Sequence, residues 1–298
     1  MSASSSSASW ASSSTGFSEF CPRGTSPATA SNSQERSMSK PLSIAEQAGI
    51  PGPPEVVDVE SERRRRKTAV IGGYRILSKF GLDEGISGHI TARDPEEPET
   101  FWTAPFGRHF SQVQPEELLH VASDGTVISG DGPLNRAAFV IHSKVHEARP
   151  DVIGAVHAHG LNGKAFSSLH CRLAPITQDA CAFHEDHSIY EEYHGVALDE
   201  EEGIRIATAL GSNKAVILTN HGHLTVGTSV ESAVWWYVSM ERSMQAELAA
   251  RAAGDPVVLH EKIAAQTYEA VGTEKVGWFA YSTIIQKIAA DEPEVFAR

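Results

Sequence analysis

The sequence predicts a mixed α/β fold, a sheet whose faces are covered by helices, and three observations predict it. Apolar runs with strand-like alternation are interleaved with stretches whose apolar residues recur every three or four positions. The chain has 298 residues and is 41% hydrophobic, enough to bury a substantial core. One apolar run, Ile153-Gly154-Ala155-Val156-His157-Ala158-His159-Gly160, ends in His-x-His. Alternate side chains of a strand share a face, so these two imidazoles reach toward one point.

Charge and cysteine usage narrow the setting. The formal net charge is -13. Residues 1–67 hold eight Lys or Arg against seven Asp or Glu, and the remainder holds 17 against 31, so the acidity sits in the part expected to fold. Nucleic acid and anionic membrane surfaces select for positive faces and are not the expected partners. Cys21, Cys171 and Cys181 form no Cys-x2-Cys pair and fit a reducing cytoplasmic compartment. No run approaches the roughly 18 apolar residues of a membrane span, and the start lacks the basic-then-apolar pattern of a secretory signal. The Ser-rich start mimics an organelle transit peptide, although residues 1–40 carry only Arg23, Arg36 and Lys40 as basic residues.

Taken in order, residues 1–62 are a Ser- and Pro-rich stretch expected to be a disordered tail. Residues 63–255 are expected to form the folded domain, and 256–298 a helical extension packed on it. The cluster Arg63-Arg64-Arg65-Arg66-Lys67 is either a nuclear address or phosphate patch, or the solvated first turns of a helix continuing through Ile71, Tyr74, Leu77 and Phe80. Gly81 is placed to end that helix. Residues 85–93 and 100–103 alternate as strands, 113–117 start a short helix or turn, and 118–121 with 126–128 flank Ser123-Asp124-Gly125 as a hairpin. Residues 135–148 are helical and stop at Pro150; the His-x-His strand follows. Beyond it come a helix over 163–169, a short strand over 173–178 and an irregular loop over 181–194. A helix over 200–210, strands ending at 220 and covering 223–227, and a long helix over 230–252 complete the domain. The aromatic patch 277–281 either covers a neighbouring subunit's pocket or closes the core.

A third histidine, His221, follows the apolar run Ala215-Val216-Ile217-Leu218 and precedes Gly222. Three imidazoles with an open coordination position make a catalytic metal site; the plainer alternative is packing at strand ends. Thirteen of the fourteen histidines lie between His89 and His223. His142 and His146, four apart on one helix, are a rival metal pair. His184, His187 and His194 fall in the irregular loop, where pocket walls are often built.

These residues carry a resemblance to the class II aldolase/adducin family, closest to its adducin-like fungal and bacterial branch. It rests on Gly88-His89-Ile90-Thr91, Pro105-Phe106-Gly107, Ala148-Arg149-Pro150-Asp151 leading into His157-Ala158-His159, and Asn220-His221-Gly222 with Thr225-Val226-Gly227. It covers about two thirds of the chain. The resemblance implies a three-layer α/β/α sandwich with a largely antiparallel central sheet. It also implies a divalent metal, usually zinc (Zn2+), on His157, His159 and His221, and a homotetramer with active sites at subunit interfaces.

The departures from the family pattern shape the expected chemistry. In the family's sugar-phosphate aldolases a glutamate shuttles the proton from the position that is Ala138 here, and alanine has no acid or base. Small polar residues hold the phosphate where Phe106 and Ala137 stand, which removes hydrogen bonds a phosphate needs. Arg136 remains to pair with a carboxylate or to sit solvated at a helix start. His89, His109, His184, His187 and Tyr190 are the candidate proton donors, and His109 and Phe106 join Arg136 as candidate substrate contacts. A divalent ion on three histidines polarises a carbonyl or hydroxyl oxygen and stabilises the enediolate or enolate shared by aldol cleavage and decarboxylation. The expectation is a metal-dependent carbon-carbon lyase acting on a small non-phosphorylated hydroxy-carbonyl or carboxylate compound. Two alternatives stay open: a non-heme iron (Fe2+) oxygenase on the same triad, and a non-catalytic adducin-like scaffold.

Overall fold

A computed structural model describes residues 49–197 and 199–296, so most of the expected tail, with Cys21, lies outside the described residues. Helix α1, Val59–Lys79, opens before the expected residue 63 because Asp58 caps it. The Asp58 carboxylate accepts from the Ser61 N–H at 2.8 Å, and the Ser61 hydroxyl reaches back to the Asp58 N–H at 3.4 Å. This is a capping box with serine in place of the usual glutamate. Gly81 ends the helix as expected, at φ +70°.

The basic cluster is helical as expected, but only Arg64 in it is exposed, a correction to its reading as a solvated face. Arg63 binds Asp94 at 2.7 Å and Glu96 at 2.9 Å, Arg65 binds Glu62 and Glu231, and Arg66 binds Glu62 at 2.6 Å and the Arg93 carbonyl at 2.8 Å. The partners lie up to 166 residues away, which no local pattern reveals.

The strands are β1 (Gly88–Arg93), β2 (Phe101–Thr103), β3 (Leu119–Val121), β4 (Val127–Ser129), β5 (Gly154–Ala158), β6 (His187–Tyr190), β7 (Ala215–Leu218) and β8 (Gly222–Gly227). They form one eight-stranded sheet ordered β4-β3-β2-β1-β5-β8-β7-β6. Every pair is antiparallel except β6 with β7. That parallel pair is joined through helix α4, Glu200–Leu210, as parallel neighbours require a crossover.

Two expectations change here. Residues 173–178 make no strand: the Leu173 N–H donates to His187 Nε2 at 3.1 Å and the Ala174 N–H to Glu247 at 2.8 Å, so side chains take the donors a ladder would use. The loop 181–194 instead contains β6, whose four residues are too few to show a period among polar neighbours.

Helix α2 is Arg136–Ala148, α3 is Leu161–Ser167, and the long helix α5 is Val230–Ala253. Side chains alternate along β5. Val156 and Ala158 pack with α1 and α5, while Ala155 packs on the opposite face with Ile141 and Val145 of α2 and Ile206 of α4. C-terminal to these lie α6 (Glu261–Val271), α7 (Glu274–Asp291) and α8 (Pro293–Phe296). The aromatic patch rides on α7: Tyr281 is buried and donates to the Ala69 carbonyl at 3.0 Å, closing the core of its own chain. No helix among the described residues is long and apolar enough to cross a membrane.

Candidate metal centre

Strand β5 delivers His157 at its penultimate position and His159 just beyond its end. His221 arrives from the β7–β8 turn, where Asn220 adopts φ +58°. Asparagine tolerates this left-handed conformation better than most residues, and it folds the chain back within three residues. The antiparallel pairing of β5 with β8 sets Ala158 opposite His223, so the turn stands beside the end of β5. The three rings come to centroid separations of 5.1, 4.6 and 4.8 Å. One nitrogen from each lies within 4.8 Å of the others.

The details fit a shared divalent ion. His157 Nδ1 lies 2.9 Å from the His223 carbonyl, to which it donates, and this leaves Nε2 as the lone pair. That Nε2 is buried without a hydrogen-bond partner, which is costly unless something occupies it. His159 Nε2 and His221 Nε2 stand 3.1 Å apart. Two nitrogens on one tetrahedral zinc ion, each at about 2.0–2.1 Å, sit roughly 3.3 Å from one another. Burial, then the neighbouring imidazoles, holds His157 well below the usual histidine range, and the same causes bring His221 down to about 4. Burial and Lys164 lower His159 as well. All three are therefore neutral near pH 7, the protonation state a metal requires of them.

A cleft lined by His89, though by none of the three histidines themselves, lies on the β1 side of the triad. His89 on β1 faces His157 directly across the β1–β5 pairing, with ring centroids 5.4 Å apart. It is 6% exposed, and neither ring nitrogen has a partner. Gly88 permits the close approach: at φ +141°, a Cβ there would fall 2.9 Å from the Ala158 Cα. The cleft is lined by His89, Thr103, Phe106, Arg108, Asn135 and Ala138, with Phe101, Phe110 and Phe139 supplying apolar wall. The rival pair shares one hydroxyl: Thr91 Oγ1 lies 2.7 Å from His142 Nδ1 and 2.9 Å from His146 Nε2, while the other nitrogen of each ring is buried without a hydrogen-bond partner. One hydroxyl proton serves both bonds, so one imidazole donates to Thr91 and the other accepts.

Of the residues expected at the site, the structure brings His89, Phe106 and Ala138 to this cleft beside the triad; Arg136, His109, His184 and Tyr190 do not line it. Arg136 is exposed, its guanidinium 5.9 Å from the Phe139 ring centroid. His109 caps Ser111 and lies 3.5 Å from Asp83. Tyr190 packs against α4, and its hydroxyl accepts from Arg205 at 3.3 Å. His184 follows the turn Ala180–Phe183 with a buried, unpartnered Nε2. His187 is occupied by the Phe183 carbonyl at 2.6 Å and the Leu173 N–H. Thr103, Arg108 and Asn135 were not among the expected site residues; strand register brings Thr103 here, the cap of α2 brings Asn135, and the Glu117 ion pair holds Arg108.

Comparison with known proteins identifies the family of the domain that carries these residues. A family model described as Class II Aldolase and Adducin N-terminal domain matches residues 68–248. A Streptomyces roseochromogenus subsp. oscitans protein named 4-hydroxy-3-prenylphenylpyruvate oxygenase/4-hydroxy-3-prenylbenzoate synthase is 36% identical over 270 residues, covering 87% of this chain and 95% of that protein. The protein named decarboxylase NovR from Streptomyces niveus is 36% identical over 247 residues, covering 81% and 91%. Among solved structures, one titled L-fuculose 1-phosphate aldolase from Glaciozyma antarctica PI12 superposes with a TM-score of 0.76 at 40% identity, covering 82% of this chain and 96% of that one.

Proposed function

The chain belongs to the class II aldolase and adducin family, and from that premise we propose that it is a metal-dependent carbon-carbon lyase. The observation that carries the reading is the convergence of three neutral imidazoles, with an orphaned His157 Nε2, beside a cleft walled by phenylalanines. His157, His159 and His221 would hold the ion, zinc in this reading. A bound divalent ion supplies Lewis acidity toward an oxygen next to the bond that breaks.

The chain's own residues do the rest. Aldol cleavage and decarboxylation each break one carbon-carbon bond and leave an electron pair on carbon that a proton must meet. Ala138 offers no proton, and His89, with one N–H and one lone pair and neither engaged, lines the same cleft. His184 and Tyr190 are the remaining candidates. Phe106 faces the cleft where a phosphate would need donors, which supports a non-phosphorylated hydroxy-carbonyl or carboxylate substrate. Arg108, on the cleft wall with its guanidinium held by Glu117 at 2.8 Å, and Arg136, which follows the wall residue Asn135, are candidate carboxylate partners, with His109 as a further substrate contact. A three-layer α/β/α arrangement, a homotetramer with sites at subunit interfaces and a cytoplasmic location complete the proposal.

A second reading is favoured by one observation, the oxygenase name of a relative that this chain matches over 95% of its length. In that reading the same triad holds ferrous iron. One panel separates the two. Zinc-loaded protein is expected to release CO2 or a carbonyl fragment from a non-phosphorylated 2-keto or 2-hydroxy compound, and to prefer it to L-fuculose 1-phosphate. His89→Gln is expected to lower kcat about a hundredfold or more. Oxygen uptake by iron-loaded protein, with no turnover by the zinc form, would move the assignment to the oxygenase. A scaffold role, the adducin side of the family, predicts neither.

A further inference from the structure

We propose that Tyr237 and Glu241, one turn apart on α5, are positioning residues for the metal centre: Tyr237 clamps the backbone on both sides of His159, Glu241 holds the first turn of α3 that follows it, and the pair braces the strand that orients His157. The inference rests on the triad being a metal site and assigns a task to a buried cluster on the far side of β5.

Tyr237 and Glu241 are 0% and 1% exposed. The Tyr237 hydroxyl donates to the Ala158 carbonyl at 2.5 Å and accepts from the Gly160 N–H at 3.4 Å, so one oxygen bridges the peptide groups before and after His159. Glu241 takes the next turn of chain. Its Oε1 accepts from the Asn162 N–H at 2.8 Å and the Asn162 side chain at 3.1 Å, and its Oε2 accepts from the Gly163 N–H at 2.8 Å. The first turn of α3, which starts two residues beyond His159 and which Gly160 leaves without a side-chain cap, is thus held by its own N–H groups against a single carboxylate.

The same pair reaches His157. The Tyr237 ring stacks on the His223 imidazole at 4.2 Å and 12°, and the His223 carbonyl is the acceptor that fixes His157 Nδ1. Glu241 Oε2 lies 4.0 Å from His223 Nδ1. Two glycines make room: a Cβ at Gly160 would sit 2.6 Å from the Glu241 carboxyl carbon, and one at Gly163 2.7 Å from His223 Nδ1.

A buried carboxylate is expensive, and no Lys or Arg pairs with Glu241 among the described residues. An apolar residue would pack α5 against β5 without that cost. What the carboxylate adds is direction: it fixes two successive N–H groups in the first turn of α3, the helix that His159 leads into, as groups outside a metal's own ligands orient those ligands.

The test uses the full chain with Tyr237→Phe and Glu241→Gln, and Tyr281→Phe as a control that removes an equally buried hydroxyl bond on α7. Zinc affinity is measured by chelator competition, and the visible absorption of the cobalt-loaded protein reports ligand geometry. Tyr237→Phe and Glu241→Gln are expected to weaken zinc binding about ten- to a hundredfold and to shift the cobalt bands, while Tyr281→Phe leaves both unchanged. If Glu241→Gln does not fold, Tyr237→Phe decides, since it removes one atom and keeps the ring stack. Affinity within twofold of wild type and unaltered cobalt bands would overturn this inference alone. A wild-type chain that takes up neither ion would overturn the metal reading and this inference with it.

Discussion

His157→Ala is expected to abolish stoichiometric metal binding, whereas His142→Ala, on the rival pair, is expected to leave it intact. Structural zinc with four ligands is bound by roughly 10–16 kcal/mol, so one ligand carries about 3 kcal/mol or more, over a hundredfold in affinity. His157 is also the proposed ligand whose second nitrogen is already committed, to the His223 carbonyl, which fixes the direction of its Nε2. Thermal unfolding gives a second readout. An ion that binds only the native state at a thousand times its Kd adds about 4 kcal/mol, so wild-type Tm should rise with added zinc and that of His157→Ala should not. His142 is held by Thr91 and touches His89, so its loss should cost stability without changing ion stoichiometry.

Metal-free protein is expected to lose stability steeply as pH falls from 6.5 toward 4, beginning above the range in which its carboxylates protonate. Burial brings His146 down to about 3 and His187 down to about 4, from 6.5 in the unfolded chain. A folded state that keeps an imidazole neutral binds fewer protons than the unfolded chain. The stability these groups contribute is fully present above 6.5 and is lost as pH falls toward 4 for His187 and 3 for His146. Within that window each histidine gives a slope of about 1.4 kcal/mol per pH unit. Urea unfolding from pH 7 to 4 measures it, and His146→Leu should make the dependence shallower. A urea midpoint that is flat from pH 7 to 5 would contradict the account. Asp94 acts in a lower window: burial raises its carboxyl, but Arg63, the Trp102 N–H and two backbone N–H groups outweigh that and hold it below 3.8. Its contribution is lost only below that value.

What sequence made legible follows from how local each cause is. His157 and His159 share a face because a strand has period two, and the apolar run before them announces the strand. The α2 helix is announced by an Asn135 cap and Pro150, and the β3–β4 hairpin by its Asp124-Gly125 turn. By contrast, β6 is four residues long and gains its place only by pairing with β7. The arginines of α1 looked solvated because Asp94 and Glu231 come beside them only in the folded chain. Tyr237 and Glu241 looked like ordinary helix residues, since nothing in α5 says that β5 ends against it. Arg136 and Arg108 show the same limit: neither sequence position tells which guanidinium lies on the cleft wall.

The most direct test of the central claim is the metal content of purified wild-type protein before and after chelator treatment, with zinc and ferrous iron offered back in turn. The account predicts one divalent ion per chain, removed by the chelator and restored on return. A correctly folded chain that takes up neither ion above background would contradict it.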